Sequence, residues 1–398
     1  MSEVVVIGGG AAGMMAAVKA AEALGDGSRV LLLERGDRLG RKIYLTGKGR
    51  CNITNMRPWS EFAPHIHPNA QFFKHAFHAF SNVAVQEFFE SCGLETSVEQ
   101  GMRLFPLSMR AADVVRALER RVSELGVRVS PSSRIEHFSD VREFLERGCA
   151  VILATGGCSY PVTGSTGDGY AIAAEAGHKI SRTFPSLTAL KPVRYDTSLV
   201  GVDLKNVALR LYIDRDCVQE ELGEMSFTGD GIEGALGYRV SRRAVWALEN
   251  GQKVELSLDL KPGLELPKLA ARIARDVVSA SGAPRMGSIL RGLMPAGLVG
   301  PFMAANPGLS FENLAERLKD WRFRIASYKG YERAVVTAGG VSLNEVVSKT
   351  MESRLVPGLY FAGEVLDLDG DTGGYNLQIA FSTGALAGLS AAKKDNKK

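Results

Sequence analysis

The sequence predicts an α/β fold: a Rossmann-like domain on a parallel sheet, interrupted by an inserted second unit. Three observations predict it. The chain opens with an apolar strand that runs into a glycine turn and then a helix. Strand-then-helix repeats fill the first 190 residues, and αβ character returns from Ala334 after an interval of short alternating runs and helices.

The opening strand and turn read VVVIGGGAAG over residues 4–13. Gly8 allows a tight turn, Gly10 lets the backbone approach a pyrophosphate, and Gly13 lets the helix lie close to the sheet. Ala11 and Ala12 begin an alanine-rich helix, Ala11 to Leu24, whose N-terminal amides can face phosphates. A second strand, Arg29 to Leu33, ends in Glu34, twenty-one residues after Gly13, with Arg35 next. An acid there can accept hydrogen bonds from ribose hydroxyls.

Periodicity predicts one helix over Ala70 to Cys92, another over Ala111 to Leu125, and a strand at 127–129. The strand CAVILATGG from 149 brings Thr155 and Gly156 to its end; the run GSTGDG at 164–169 precedes a helix over Tyr170 to Gly177. The pattern changes at Pro185. Residues 188–260 carry antiparallel-type runs such as VALRLYID at 207–214 and KVELSLDL at 253–260, with a helix near Tyr238 to Leu248. Residues 266–325 read as mostly helical. The expected division is a discontinuous domain of 1–190 plus 334–398 and an insert of 191–333, β-rich to 262 and helical from 263, with the cleft between them as the default ligand site.

Bulk properties narrow the class. A formal charge of +4 over 398 residues does not call for nucleic acid. The five cysteines are scattered without a CxxC pair, which suggests reduced thiols in the cytoplasm and neither a disulfide framework nor a zinc site. No secretory pattern opens the chain, and the apolar stretch from Val4 to Leu24 carries Lys19 and Glu22, so it does not read as a membrane span. The basic ending KKDNKK reads as a solvated tail.

The first fingerprint fits either NAD or FAD. Residues 358–384, GLYFAGEVLDLDGDTGGYNLQIAFSTG, favour FAD. A strand from Leu359 to Ala362 ends in Gly363-Glu364, where an extended ligand can lie on the backbone and Glu364 can hold a polyol hydroxyl. Gly374, Tyr375, Asn376 and Leu377 open a helix whose N-terminus can stabilise negative charge on a reduced ring.

At these residues the chain resembles the HI0933-like flavoproteins, the BaiN or aminoacetone-oxidase type within the glutathione-reductase-like FAD superfamily. The matching blocks are IGGGAAG, GRKIYLTGKGRCNITN at 40–55, ATGG at 154–157, TGSTGDGY at 163–170, AGGV at 338–341 and the final block from 363. The resemblance implies bound FAD, a β-barrel-like insert with a small helical unit, and oxidoreductase chemistry. It places Gly8, Gly10 and Gly13 at the pyrophosphate and Glu34 at the adenosine ribose. Lys42 and Arg50 would add positive charge near phosphates or flavin, and Cys51 and Asn52 lie in the segment that passes the cofactor. Thr155 and Gly156 would sit by the adenosine, and Gly363, Glu364, Gly374, Tyr375, Asn376 and Leu377 along the ribityl chain and pyrimidine edge. The sequence departs from the family in two places. The strip Arg134 to Leu153 is short, and an FTHxGxSGP-like segment reads FTGDGIEGALG at 227–237.

Arg41, Lys42, Lys48 and Arg50 cluster within ten residues and can wrap an anion or form a solvated loop. Cys51 and Cys158 read as packed thiols without a redox partner. His65, His67 and His75 lack an acid or cysteine at metal-ligand spacing, so no metal is expected. Asp168, Tyr375 and Asn376 are candidates for lining the site, and no catalytic acid or base stands out. The leading reading is an FAD-dependent oxidoreductase of a small molecule, with O2 or a transient NAD(P)H site as redox partner, since no second dinucleotide fingerprint appears. The alternatives are an FAD-dependent RNA-modifying enzyme, using Arg239, Arg242, Arg243, Arg272 and Arg275 as a basic face, and a non-enzymatic flavoprotein sensor or assembly factor.

Overall fold

The computed structural model describes residues 3–280 and 283–393. The chain divides into two units: Met1–Phe184 with Val335–Lys398, and Pro185–Ala334.

The first unit is built on a five-stranded parallel sheet. Its strands lie in the order Leu359–Phe361, Ala150–Leu153, Val4–Ile7, Val30–Leu33, Arg128–Ser130. Every pairing is parallel, with Val4 opposite both Val30 and Ala150. Val4–Ile7 is buried throughout, as expected of a central parallel strand covered on both faces. The first helix, Ala11–Leu24, ends on Gly25 in the left-handed conformation, φ 68°. It packs against the last helix, Tyr375–Ala392. Two glycines permit that approach: a Cβ on Gly384 would stand 2.3 Å from the Ala12 carbonyl oxygen, and one on Gly388 2.2 Å from that of Ala16. The first and last helices are thereby packed together.

The stretch expected as one helix over 70–92 is two, Ala70–Ala79 and Asn82–Ser91. Ser81 breaks it: its hydroxyl accepts from the Ala84 amide at 3.2 Å and caps the second helix. A hydroxyl cap competes well with continued helix, and the phenylalanine spacing on either side concealed the break. The short strip before residue 153 forms the helix Phe138–Glu146.

The second unit holds a closed barrel of six strands: Leu190–Pro192, Gly231–Glu233, Asp216–Thr228, Asp203–Ile213, Val254–Asp259 and Trp321–Tyr328. Among the described residues, four helices, Leu266–Val278, Met286–Arg291, Ala296–Ala305 and Leu314–Lys319, fill the interval before the last strand. The helical reading of 266–325 is therefore corrected at its end. Trp321–Tyr328 alternates buried and exposed residues from Trp321 to Ala326, the period of a half-buried strand. This strand closes the barrel by pairing with Val254–Asp259 and Leu190–Pro192. Its Trp321 and Phe323 rings pack 4.8 Å apart, and Trp321 meets Phe302 edge-on at 5.2 Å. Asp259, almost wholly buried, is held by Lys319 at 2.7 Å.

Among the described residues, no helix is long and apolar enough to cross a membrane, and all five cysteines are free thiols.

Candidate functional site

A long cavity runs along the C-terminal ends of the central strands of the first unit, and all of its wall residues belong to that unit. Its middle is the glycine turn. A Cβ on Gly8, at φ +106°, would meet the Ala154 carbonyl oxygen at 2.5 Å, and one on Gly13 the Gly8 oxygen at 1.8 Å. Gly10 has nothing within 4 Å of a built Cβ and faces open space. It is the N-cap of Ala11–Leu24 and offers no side-chain cap, so the first helical amides remain available as donors to an anion.

On one side of this turn stands Glu34. Its Oε2 accepts from the Gly9 amide at 2.7 Å and its Oε1 from the Gly36 amide at 2.6 Å. A carboxylate has lone pairs to spare beyond two such bonds. The surrounding wall comes from Arg35, Ser133, Arg134, Ile135, Gly164 and Ser165. Asp168 ties these segments together, accepting from Arg35 Nη1 at 2.9 Å and Arg134 Nε at 3.2 Å. Burial pushes the Asp168 carboxyl up, but hydrogen bonds from Arg134 and Thr166 and the charge of Arg35 bring it below the usual carboxylate range.

On the other side stands Glu364. Its Oε2 accepts from Lys42 Nζ at 2.8 Å; its Oε1 accepts from the Ser159 hydroxyl at 2.7 Å and the Thr337 amide at 2.8 Å. Lys42 also donates to Ser159 Oγ at 2.6 Å. Beyond lie Gly363, Asn376 and Leu377. Asn376 is fixed by bonds in both directions with Gly370, 2.8 and 2.7 Å.

The structure brings Gly8, Gly10, Ala11, Ala12, Glu34, Arg35, Lys42, Thr155, Gly156, Asp168, Gly363, Glu364, Asn376 and Leu377 onto one wall. It does not bring the rest there. Gly13 lies beneath the turn. Arg50 is exposed, over the Phe105 ring at 5.1 Å. Cys51 is fully buried, and burial pushes its thiol up to about 12. Gly374 packs on Thr54, with a built Cβ 2.4 Å from its carbonyl carbon. Tyr375 is buried between Phe62 and His65, 4.7 and 4.5 Å between centroids. Asn52 lies off the wall, yet its Oδ1 is buried without a partner and points toward Gly374.

Several wall residues escaped the sequence: Arg38, Thr46, Ser133, Ile135, Val335 and Val336. The GRK block at 40–42 and the TGSTGDG run at 163–169 carried a usable signal for their neighbours; Val335 and Val336 carried none. His65 and His67 do have an acid after all. Asp371 lies 2.8 Å from His65 Nδ1 and 3.1 Å from His67 Nε2, yet no metal-holding group of three ligands exists among the described residues. Burial raises the Asp371 carboxyl, but the two histidines outweigh it and hold it at about 2. In the second unit, the altered 227–237 loop ties Asp230 to Lys329 at 2.9 Å, and Tyr195 donates to the Thr228 carbonyl at 2.7 Å.

The cavity suits an extended dinucleotide. It has a glycine cradle for a diphosphate, a carboxylate on either side of it for hydroxyls, and an unpartnered buried hydroxyl, Thr155 Oγ1, on its wall. Comparison with known proteins agrees. The model of the HI0933-like protein Rossmann domain matches residues 2–390. A 3-dehydro-bile acid delta(4,6)-reductase of Clostridium scindens is 33% identical over 417 residues, covering 99% of this chain and all of that one. Ribosomal RNA dihydrouridine synthases of Haemophilus influenzae and Escherichia coli are 30% and 31% identical, covering 99% and 96% of this chain and the same shares of theirs.

Proposed function

The chain belongs to the HI0933-like family and is an FAD-dependent oxidoreductase; on that premise we propose that it reduces a carbon–carbon double bond in a small molecule, with NADH or NADPH as electron source. The observation that carries the cofactor part of this reading is one cavity whose wall holds both Glu34 and Glu364 and the uncapped amides after Gly10. When bound there, FAD supplies the two-electron carrier. The protein's own residues bind and orient it. The helix amides after Gly10 would meet the diphosphate, Glu34 would take ribose hydroxyls, and Glu364 would take a ribityl hydroxyl while Lys42 balances its charge. Asn376, locked to Gly370, fixes the start of the last helix, whose N-terminus would face the flavin.

The type of reaction rests on the relatives. A delta(4,6)-reductase and a dihydrouridine synthase both, by name, add hydrogen across carbon–carbon double bonds. Their substrates differ in class, a steroid acid and an RNA. The small-molecule side is favoured by the pairing of two of the insert's five arginines: Arg239 binds Glu221 at 3.1 Å and Arg272 lies 3.8 Å from Asp276, which lessens a basic face for phosphates.

The test is anaerobic mixing of the purified yellow protein with NADH and NADPH in turn. Bleaching of the visible flavin band by one donor, followed by reoxidation with a conjugated enone that gains two mass units, is expected. A colourless protein that stays so with added FAD overturns the reading. Reoxidation by ribosomal RNA and not by enones moves the substrate to RNA.

A further inference from the structure

Away from the cavity, three side chains of the first unit form one chain of hydrogen bonds. His178 follows the helix Asp168–Glu175, whose first residue is on the cavity wall. Its Nδ1 lies 3.2 Å from Glu345 Oε2 and its Nε2 2.8 Å from Ser353 Oγ. The His178 side chain is wholly buried and meets the Phe361 ring edge-on at 4.9 Å. Glu345 and Ser353 belong to a hook, residues 342–358, between the strands Val336–Val341 and Leu359–Phe361. The second of these strands leads through Ala362 into Gly363 and Glu364 on the cavity wall.

Counting protons fixes the tautomer. Ser353 Oγ accepts from the Leu355 amide at 3.0 Å and the Val356 amide at 2.8 Å. A hydroxyl has two lone pairs and one proton, so that proton goes to His178 Nε2. Nδ1 then carries the ring's own proton and donates to Glu345, whose Oε2 also accepts from the Lys179 amide at 2.8 Å. In an open site this order of groups activates a serine nucleophile. Here Ser353 is buried and its oxygen is spent on two amides, so the chain is a fastening. A second ring proton has no acceptor. It would point at Ser353 Oγ, and an amide would have to give up its bond. Burial holds the His178 ring below its ordinary value, with Glu345 pulling the other way. The other titratable groups on these elements are turned elsewhere. Glu352 accepts from the Gly358 amide at 2.9 Å and Glu175 from the Phe138 amide at 2.7 Å. Lys179, Lys349 and Arg354 are exposed, and Tyr360 lies on the opposite face of its strand from Phe361.

We propose that Glu345, His178 and Ser353 are a proton-operated clasp: a neutral His178 fastens the hook and sets the Gly363–Glu364 stretch of the wall, and its protonation loosens the hook and weakens the cavity's hold on its cofactor. The neutral ring contributes its stability in full above about pH 6.5, the unfolded value, and that contribution is lost as pH falls below it. The cofactor part rests on FAD occupying the cavity; the fastening does not.

Two measurements on the full chain between pH 7.5 and 5.5 test the two parts: hydrogen exchange of the Leu355 and Val356 amides, corrected for its intrinsic pH dependence, and fluorescence titration with FAD. In the parent, amide protection and FAD affinity are each expected to fall about tenfold over this range. His178→Gln keeps an acceptor for Ser353 and a donor for Glu345 without a titrating ring, and should hold both within about threefold. Glu345→Gln keeps an acceptor for Nδ1 but removes the charge that favours a protonated ring, so the loss should move to lower pH. It carries the test if His178→Gln does not fold. Parent protection that stays within about threefold, an equal loss in His178→Gln, or an unmoved loss in Glu345→Gln overturns the clasp, with or without flavin. Lost protection with FAD affinity unchanged overturns the link to the cofactor. A parent that binds no FAD overturns the proposed function, while exchange still decides the clasp.

Discussion

Glu34 and Glu364 occupy corresponding places, each at the C-terminal end of a parallel strand and each on the cavity wall, yet they are held in opposite ways. Glu34 is gripped by two main-chain amides, from Gly9 and Gly36. Glu364 is gripped mainly by side chains, Lys42 and Ser159, with one amide from Thr337. An acid bound by backbone is part of the fold, because the amides it satisfies have no other acceptor in the turn. An acid bound by side chains can be retuned without disturbing the chain path. The first end of the cavity is therefore expected to be stiff, and the second adjustable.

The largest effect comes from breaking the stiff end. Glu34→Ala leaves the Gly9 and Gly36 amides without their acceptor, a loss of about 2–4 kcal/mol in unfolding stability. FAD affinity should drop by about a hundredfold with it, since a charged acceptor for ribose hydroxyls is removed as well. Urea unfolding and flavin fluorescence report the two quantities separately. Equal stability of Glu34→Ala and the parent would erase the distinction between the two acids.

Asp371 extends the comparison to a third carboxylate, clasped by the side chains of His65 and His67. Its folded pKa is about 2 against an ordinary 3.8. A depressed carboxyl stabilises the fold fully above the unfolded value and loses that contribution as pH falls toward 2. The difference amounts to about 2 kcal/mol. Urea melts at pH 5, 4 and 3 should show the loss in the parent, and Asp371→Asn should remove that part of the slope. An unchanged slope in the variant would place the acid sensitivity elsewhere.

The two grips also explain what could be seen in the sequence. Gly8 to Gly13, the helix from Ala11 and the acid after Leu33 were legible because main-chain geometry dictates them within thirty residues of one another. The clasp of Asp371 was not, because its partners lie 304 and 306 positions away and no local periodicity links them. Ser159 likewise reaches Glu364 across 205 positions. Arg50 and Tyr375 were expected at the ligand from their motif, but a motif records neighbourhood: they lie off the cavity wall, with their side chains against Phe105, Phe62 and His65. The strand Trp321–Tyr328 was hidden for a different reason: its alternation follows a helical run without a glycine to mark the change, the one intervening residue being Asp320.

The adjustable end is sharpened by a double-mutant cycle. Lys42 and Glu364 are both partly exposed, about a quarter and a fifth, so solvent screens the pair. A coupling of about 1 kcal/mol in FAD binding is expected between Lys42→Met and Glu364→Gln. Lys42→Met alone should shift FAD affinity less than Glu34→Ala, with unfolding stability close to the parent.

The smallest effect tests whether Cys51 belongs to either end. It lies one residue from Asn52 in the motif, but its side chain is fully buried, its amide is bound to the Thr46 carbonyl at 3.1 Å, and burial pushes the thiol up to about 12. A thiol so far from ionising at pH 8 is neither a nucleophile nor a partner for a two-electron exchange. Exposed Cys217 should react with an aromatic disulfide reagent at the rate of a free thiol, while Cys51 should react only as the chain unfolds, with or without FAD. Cys51→Ala should leave flavin binding and its reduction by nicotinamide unchanged. Rapid labelling of Cys51 in the native protein would mean that the segment 46–52 opens to solvent, and the wall near Thr46 would then have to be counted with the adjustable side of the cavity.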